Sequence, residues 1–466
     1  MATEKREAGK TSHHHRSPGA CMRLGRSLFA HVLAACVLFG CEAATAADLA
    51  NCCADIEARI AELETAGKGS RKVDLTVYGQ VNQAIMAWDD GYERNAYLVT
   101  NDASRTRFGF RGQSKLNSHL SASFQIEVGV RSLNSKRSDQ LTTRSGLDLR
   151  RAWWGVTSKT LGTVQVGRAI TALEEITEAN LAGTNRAGKY SDVEDSGLGL
   201  LLRPKSTPTL SRVAWRRLLK HTGNQPGEGD VQSGIRYVTP TVAGFFMSIA
   251  WGADDLWDAS LEYEGQVSDF KVAARAGYGA STDGREGASF ECVATNLASA
   301  PNEADCATLG GSLSILHEPT GLYAKMAGGW FKDHNVKYAP FFANMSPDAT
   351  STFWAFETGI QKDWLDLGAT TIFGQLYQVD GGANARLTVE ADDAINPIGA
   401  DAGLYASKVE MWGVGFTQDI SNAAMKLYVL YRHYDASVTL AGAGQVKASE
   451  PLENLDIVMA GALIRF

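Results

Sequence analysis

After residue 50 the sequence has no long apolar run: nothing there approaches the roughly 18–20 consecutive apolar residues that a membrane-spanning helix needs. Helices therefore cannot carry this part of the chain across a bilayer. Proline is scarce, 11 residues against 47 glycines, and apolar content is 44%, which excludes Pro-rich disorder and suits a folded, turn-rich chain. The nine histidines are scattered, three of them at His13–His15, and neither GxSxG nor HExxH nor a cluster of metal-ligating residues occurs. No catalytic residue, metal or cofactor is expected. Basic residues are the minority, 45 Lys and Arg against 52 Asp and Glu, a net charge of −7 that argues against a nucleic-acid partner.

The first apolar run is short and lies between charges and small residues. In MRLGRSLFAHVLAACVLFGCEAATAADLA, Arg23 and Arg26 precede an apolar middle from Leu28 to Gly40, and Ala44-Thr45-Ala46-Ala47 offers a cleavage region. This is the layout of a secretory signal, with Met1 or Met22 as the initiator. A short membrane anchor, or a lipoprotein processing box at Leu38-Phe39-Gly40-Cys41, is the alternative reading. Removal of residues 1–47, which hold six Lys/Arg and three Asp/Glu, leaves 39 basic against 49 acidic residues and a net charge of −10. Export delivers the chain to an oxidising compartment, where Cys292 and Cys306 could pair across thirteen intervening residues. Such a bridge contributes about 3 kcal/mol on the chain-entropy model. The adjacent Cys52 and Cys53 pair poorly with each other, which leaves them free or joining subunits. In ADIEARIAELETA, residues 54–66, Ile56, Ile60 and Leu63 share a helical face. Residues 48–72 are thus expected to form a short helix and linker ahead of a domain spanning 73–466.

From Val73 the texture changes to alternation with a period of two. In VDLTVYGQVNQAIMAW, Val73, Leu75, Val77, Val81 and Ile85 lie on one side, with Asp74, Thr76, Gln80 and Asn82 on the other. In SRTRFGFRG, Thr106, Phe108 and Phe110 oppose Arg105, Arg107 and Arg111. In HLSASFQIEVGVRS, alternate apolar residues from Leu120 to Val130 oppose Gln125, Glu127 and Arg131. Further strands are expected near 148–157, 163–168, 233–238, 244–252, 256–264, 269–278, 311–317, 322–331, 352–362, 368–379, 407–418, 424–434 and 455–466. Short turns alternate with long polar loops at 132–147, 279–310, 332–351, 380–406 and 435–454. A soluble sandwich would bury its apolar face against a second sheet. Here the opposite face carries charges and amides in strand after strand, as a water-filled lumen requires. The expected fold is all-β: a transmembrane antiparallel β-barrel of about 16 strands.

Five blocks, LTVYGQV (75–81), SRTRFGFRG (104–112), RRAWWGV (150–156), LGTVQVGR (161–168) and SGIRYVTPTVAGFFMSIAWG (233–252), precede a terminal Phe466. In order and spacing they resemble the trimeric outer-membrane porins of Gram-negative bacteria, closest to the alphaproteobacterial, rhizobial-type branch. The resemblance implies a homotrimer in the outer membrane, among its lipids and lipopolysaccharide. It also implies a water-filled channel for passive diffusion of small hydrophilic solutes and ions, narrowed by an inward-folded third loop. That loop begins after Arg168 and carries Glu174, Glu175, Glu178, Asp192, Glu194 and Asp195. The resemblance sets these acids against basic residues on the wall, at Arg107, Arg168 and Arg212. Alternation adds Arg105, Arg111, Arg131 and Arg151 to the inward face. Opposed charges across a narrow aqueous gap create a transverse field; a merely solvated loop is the plainer reading of the acids. Arg168 shares the parity of Val164 and Val166, so it faces inward only if its strand ends before it.

The chain departs from the family pattern in three places. Gln80 stands where a basic residue is common, the Pro-Glu-Phe turn of the constriction loop is missing, and 197–230 is longer than a simple return needs. In the last strand Val458, Ala460, Ala462 and Ile464 form a lipid face, while Ile457, Met459 and Leu463 point into a lumen that should be wet. The resemblance implies that this strand meets the first and that Phe466 closes the barrel. A solute-specific channel of the same architecture, an outer-membrane barrel enzyme and a soluble extracellular β protein are the competing readings.

Overall fold

The alternation along the chain is realised as one closed sheet in a computed structural model, which describes residues 73–466 apart from 144–145, 220–224, 253–254, 283–304 and 343. The expected signal, the 54–66 helix, Cys52, Cys53 and Cys292 lie outside the described residues. Cys306 is disulfide-bonded.

Nineteen strands occur among the described residues. The first ten are β1 (Asp74–Asp89), β2 (Arg94–Thr100), β3 (Arg107–Lys115), β4 (Leu120–Val130), β5 (Leu147–Ser158), β6 (Gly162–Ile170), β7 (Val231–Val238), β8 (Phe245–Gly252), β9 (Leu256–Val267) and β10 (Phe270–Ser281). They continue as β11 (Cys306–His317), β12 (Leu322–Asp333), β13 (Thr350–Leu365), β14 (Gly368–Gly381), β15 (Asn384–Val389), β16 (Ala402–Ile420), β17 (Met425–Gly442), β18 (Val446–Pro451) and β19 (Leu455–Arg465). Register reduces these to sixteen wall strands. β2 and β3 pair successively along β1, β14 and β15 along β16, and β18 and β19 along β17, so each pair is one interrupted strand. Every neighbour pairing is antiparallel, and β1 bonds to both β3 and β19, which closes the wall; only the outer extensions β2, β15 and β18 are paired on a single side among the described residues. At the seam Gly79 N–H donates to Phe466 O at 3.0 Å and Phe466 N–H to Gly79 O at 3.1 Å.

The faces separate as the alternation requires. Leu75, Val77, Val81 and Ile85 of β1 are exposed on the outside, whereas Gln80, Asn82 and Met86 are buried inside. The outward apolar surface continues through Phe108, Ile126, Trp154, Ile249, Trp251, Leu261, Met326, Trp354, Leu376, Trp412 and Val458. So continuous an apolar band on a closed sheet matches lipid rather than water. Short turns such as 116–119, 159–161 and 366–367 share one rim, and the long loops the other. Two expected loops contain strand: 380–406 contains β15 and the start of β16, and most of 435–454 is the end of β17 and β18.

The lumen differs from the expectation of a wet interior on all sides. Residues 171–219 and 225–230 fold into it, and apolar side chains of the first stretch form a core with the inner wall of β1, β13, β14, β16, β17 and β19. Leu198, Leu200, Leu202, Val213, Trp215, Leu218 and Leu219 pack there with Met86, Trp88, Tyr377, Val409, Tyr434, Ile457 and Met459. The apolar inward face of the last strand is therefore correctly registered; it is covered.

Candidate functional site

Three segments reach inward and are fixed by the wall. The first begins where β6 ends. Buried Asp258 of β9 accepts from the backbone N–H of Ala172 at 3.0 Å and of Leu173 at 3.4 Å. Ser312 of β11 donates to Ile176 O at 2.6 Å and accepts from Ala179 N–H at 3.0 Å. Lys325 of β12 and Glu357 of β13, a fully buried ion pair at 2.9 Å, flank Thr184, whose hydroxyl accepts from the first and donates to the second at 2.8 Å each. Arg432 of β17 donates to Val193 O at 3.0 Å. The chain from 171 to 196 thus runs as a belt along the inner wall from β9 to β17.

The second segment is 101–106, the interruption between β2 and β3. Asn101 donates to Ala187 O at 2.8 Å, and Asn82 of β1 to Ser104 O at 3.0 Å, tying the belt to the wall. The third is the loop after β4, where Lys136 pairs with Asp195 at 2.9 Å and with Glu194 at 3.2 Å.

Between belt and wall lies a cavity of about 340 Å³, lined by six basic and seven acidic side chains and therefore close to charge balance. Arg105, Arg107 and Arg150 come from the wall side; Glu174, Glu175, Glu228 and Asp230 come from the two ends of the 171–230 segment. These ends meet where Gly229 N–H donates to Leu173 O at 3.1 Å. Glu127 of β4 braces the arginines, 2.8 Å from Arg150 Nε and 3.5 Å from Arg107 Nε. Arg105 is shared between Asp102 and Asp148, at 3.1 Å each. Glu175 has φ of 59°, a left-handed conformation unusual for a non-glycine residue, and its side chain is exposed in the gap.

Burial pushes the Glu174 carboxyl up to about 7; Arg151, 3.5 Å away, opposes the rise, and Glu175 and Asp230 reinforce it. Burial likewise takes Glu178 to about 7 despite Lys189 nearby. Burial alone would lower Lys136, but Asp195 and Glu194 outweigh it and hold the ammonium well above its ordinary range. Glu174 thus brings a carboxyl that titrates near neutrality to the lining of the gap.

Of the residues singled out in the sequence, Arg105, Arg107, Glu174, Glu175, Asp192 and Asp195 line this gap. Arg151 and Glu194 adjoin it through Glu174 and Lys136. Glu178 is buried behind it, accepting from the backbone N–H of Ser191 and Asp192. Four basic positions lie elsewhere. Arg168 is on the outer face: β6 continues to Ile170 with Arg168 in the parity of outward Val164, and its Nε donates to Leu149 O. Arg212 is exposed and pairs with Glu390 and Asp392 on a loop. Arg111 lies over the Tyr78 ring, 3.9 Å from its centroid, and Arg131 pairs with Asp148 at 2.9 Å.

Alternation missed Arg150, Lys136, Arg186 and Lys189, all of which line the gap. Arg150 enters through a bulge: Glu127 pairs with Arg151 and Val128 with Leu149, so two successive arginines escape the lipid face. The adjacent arginines in an otherwise alternating strand were the available signal, since a charge facing lipid is costly.

A family model described as Gram-negative porin matches residues 32–450. The chain belongs to the Gram-negative porin family. It is accordingly an outer-membrane β-barrel channel. No curated protein matched the sequence. Among solved structures, an anion-selective porin from Comamonas acidovorans is 15% identical, with a TM-score of 0.48, over 84% of this chain and 100% of that one. OmpT of Vibrio cholerae is 13% identical, with a TM-score of 0.48, over 85% and 99%. The channel DcaP of Acinetobacter baumannii is 11% identical, with a TM-score of 0.46, over 85% and 99%. The assignment rests on the family model.

Proposed function

We propose that this porin passes small hydrophilic solutes and ions by passive diffusion through the gap between Arg105, Arg107 and Arg150 on one side and Glu174, Glu175 and Asp230 on the other. The observation that carries the reading is that open space of about 340 Å³ with a predominantly charged lining. Charges held apart across a narrow passage let water and ions keep their polar contacts, whereas an apolar solute must displace ordered water. Planar-bilayer recording tests it: discrete conductance steps in simple salt support passive diffusion, and a folded, inserted protein that passes no ions contradicts it. A solute-specific channel is the second reading, favoured by how much of the lumen is filled; saturable uptake of one sugar or amino acid in liposomes would mark it.

Several assignments accompany this reading. The sequence blocks support the alphaproteobacterial branch. A homotrimer fits the family, and a Vibrio cholerae OmpT structure is described as a trimer form; conductance steps in groups of three are the expected outcome. Residues 1–47 act as an upstream extension and cleaved export signal, which N-terminal sequencing of outer-membrane protein checks, and 48–72 as a periplasmic helix and linker.

A further inference from the structure

Residues 197–219 are left unexplained by a simple constriction. They form a hairpin: Leu202 N–H donates to Val213 O at 2.8 Å and Trp215 N–H to Leu200 O at 2.9 Å, with Leu201 and Ala214 bridged. A short helix, α1 (Arg216–Leu219), follows. One side of the hairpin buries Leu200, Leu202, Val213 and Trp215 against the apolar inner wall. Its base is seated closely: a Cβ on Gly197 would lie 2.6 Å from Ile457 Cδ1 and 2.9 Å from Met86 Sδ. Both edges are fastened to the barrel. Arg203 pairs at 2.8 Å with Asp90, both buried, Lys205 N–H donates to Pro451 O at 2.8 Å, and Glu453 N–H donates to Arg203 O at 2.8 Å. On the far side Ser407 Oγ of β16 donates to Leu218 O at 3.1 Å.

We propose that residues 197–219 are a fixed partition that closes the lumen along β13–β19, so that the charged gap is the sole conducting path and sets the size limit for solutes. This rests on the channel reading above. Among the described residues, buried apolar side chains fill the space between the hairpin and the wall, and the paired anchors distinguish it from a lid that swings. The wall residues beneath it, among them Met86, Ile457 and Met459, are apolar because they are never wetted.

The test compares the full chain with a variant in which Gly-Gly replaces residues 201–214; the ends it must join already lie side by side. Each is made with and without Glu175→Cys, and a bulky methanethiosulfonate reagent is added to open channels in planar bilayers. Labelling Glu175→Cys in the full chain is expected to cut conductance at least fivefold, with the wild-type chain unaffected. The deletion is expected to raise conductance at least twofold, to admit disaccharides in liposome swelling, and to lose less than half its current on labelling. Unchanged conductance and size limit on deletion, with heat-modifiable migration intact, would overturn the partition. If the deletion variant does not fold, the labelling result decides alone: current that persists in the labelled full chain shows a second route and also overturns it. Absence of any current from folded wild-type protein would instead overturn the channel reading.

Discussion

At Glu174, burial and two neighbouring carboxylates outweigh the arginine facing it, and the group titrates at about 7. Above that pH it is an anion, and below it the gap loses one negative charge from a nearly balanced set. Acidification from pH 8 to 6 should therefore shift the zero-current potential in a salt gradient toward anion preference, and Glu174→Gln should reduce that shift, leaving the part due to Glu178 behind the gap. Lys325 and Glu357 present the opposite case, a fully buried ion pair whose partners also hold the belt. Lys325→Met leaves a buried carboxylate uncompensated and should cost about 3–5 kcal/mol. The temperature at which the folded band converts on gels should fall, and Lys325→Met with Glu357→Leu should recover much of it. Arg107 and Glu174 were legible from alternation and resemblance. Arg150 was not, because one bulge reverses the face that counting assigns.

Elements are where the sequence was most readable. Sixteen expected strands correspond to sixteen wall strands: lipid outside and polar groups inside impose a period of two on the earlier ones, while the last, 455–466, was assigned by its position at the closure implied by the resemblance. The outer extensions β2, β15 and β18 were not legible. Each is separated from its continuation by a short interruption, at 101–106, 382–383 or 452–454, which breaks the count. One of these interruptions, 101–106, brings Asp102 and Arg105 to the gap. The partition depends on Gly197, whose φ of 106° and close seat on Ile457 both exclude a side chain. Gly197→Ala should destabilise by roughly 1–3 kcal/mol through overpacking and backbone strain. A raised open-channel current noise is the expected electrical sign.

For the whole molecule, closure and occlusion involve the same strands. Phe466 does more than end a strand: its backbone pairs with Gly79, and its ring covers the place where a Gly79 side chain would stand. Gly79→Val should hinder closure and reduce the heat-modifiable, outer-membrane fraction. The lumen beside this seam, expected to be wet, is occupied because Ile457 and Met459 meet a segment more than 230 residues earlier in the chain. Local periodicity carries no information about such a partner, whereas the apolar lumen face of the last strand showed that one was needed. Permeation is thereby confined to one side, against β3, β4 and β5. The most direct measurement is the zero-current potential across a planar bilayer in a tenfold salt gradient, for the wild type and for Arg105→Ser/Arg107→Ser/Arg150→Ser. The variant should shift toward cations by at least about twofold in permeability ratio, as loss of three wall charges from the conducting gap requires. An unchanged potential with folding intact would contradict the assignment of that gap as the channel.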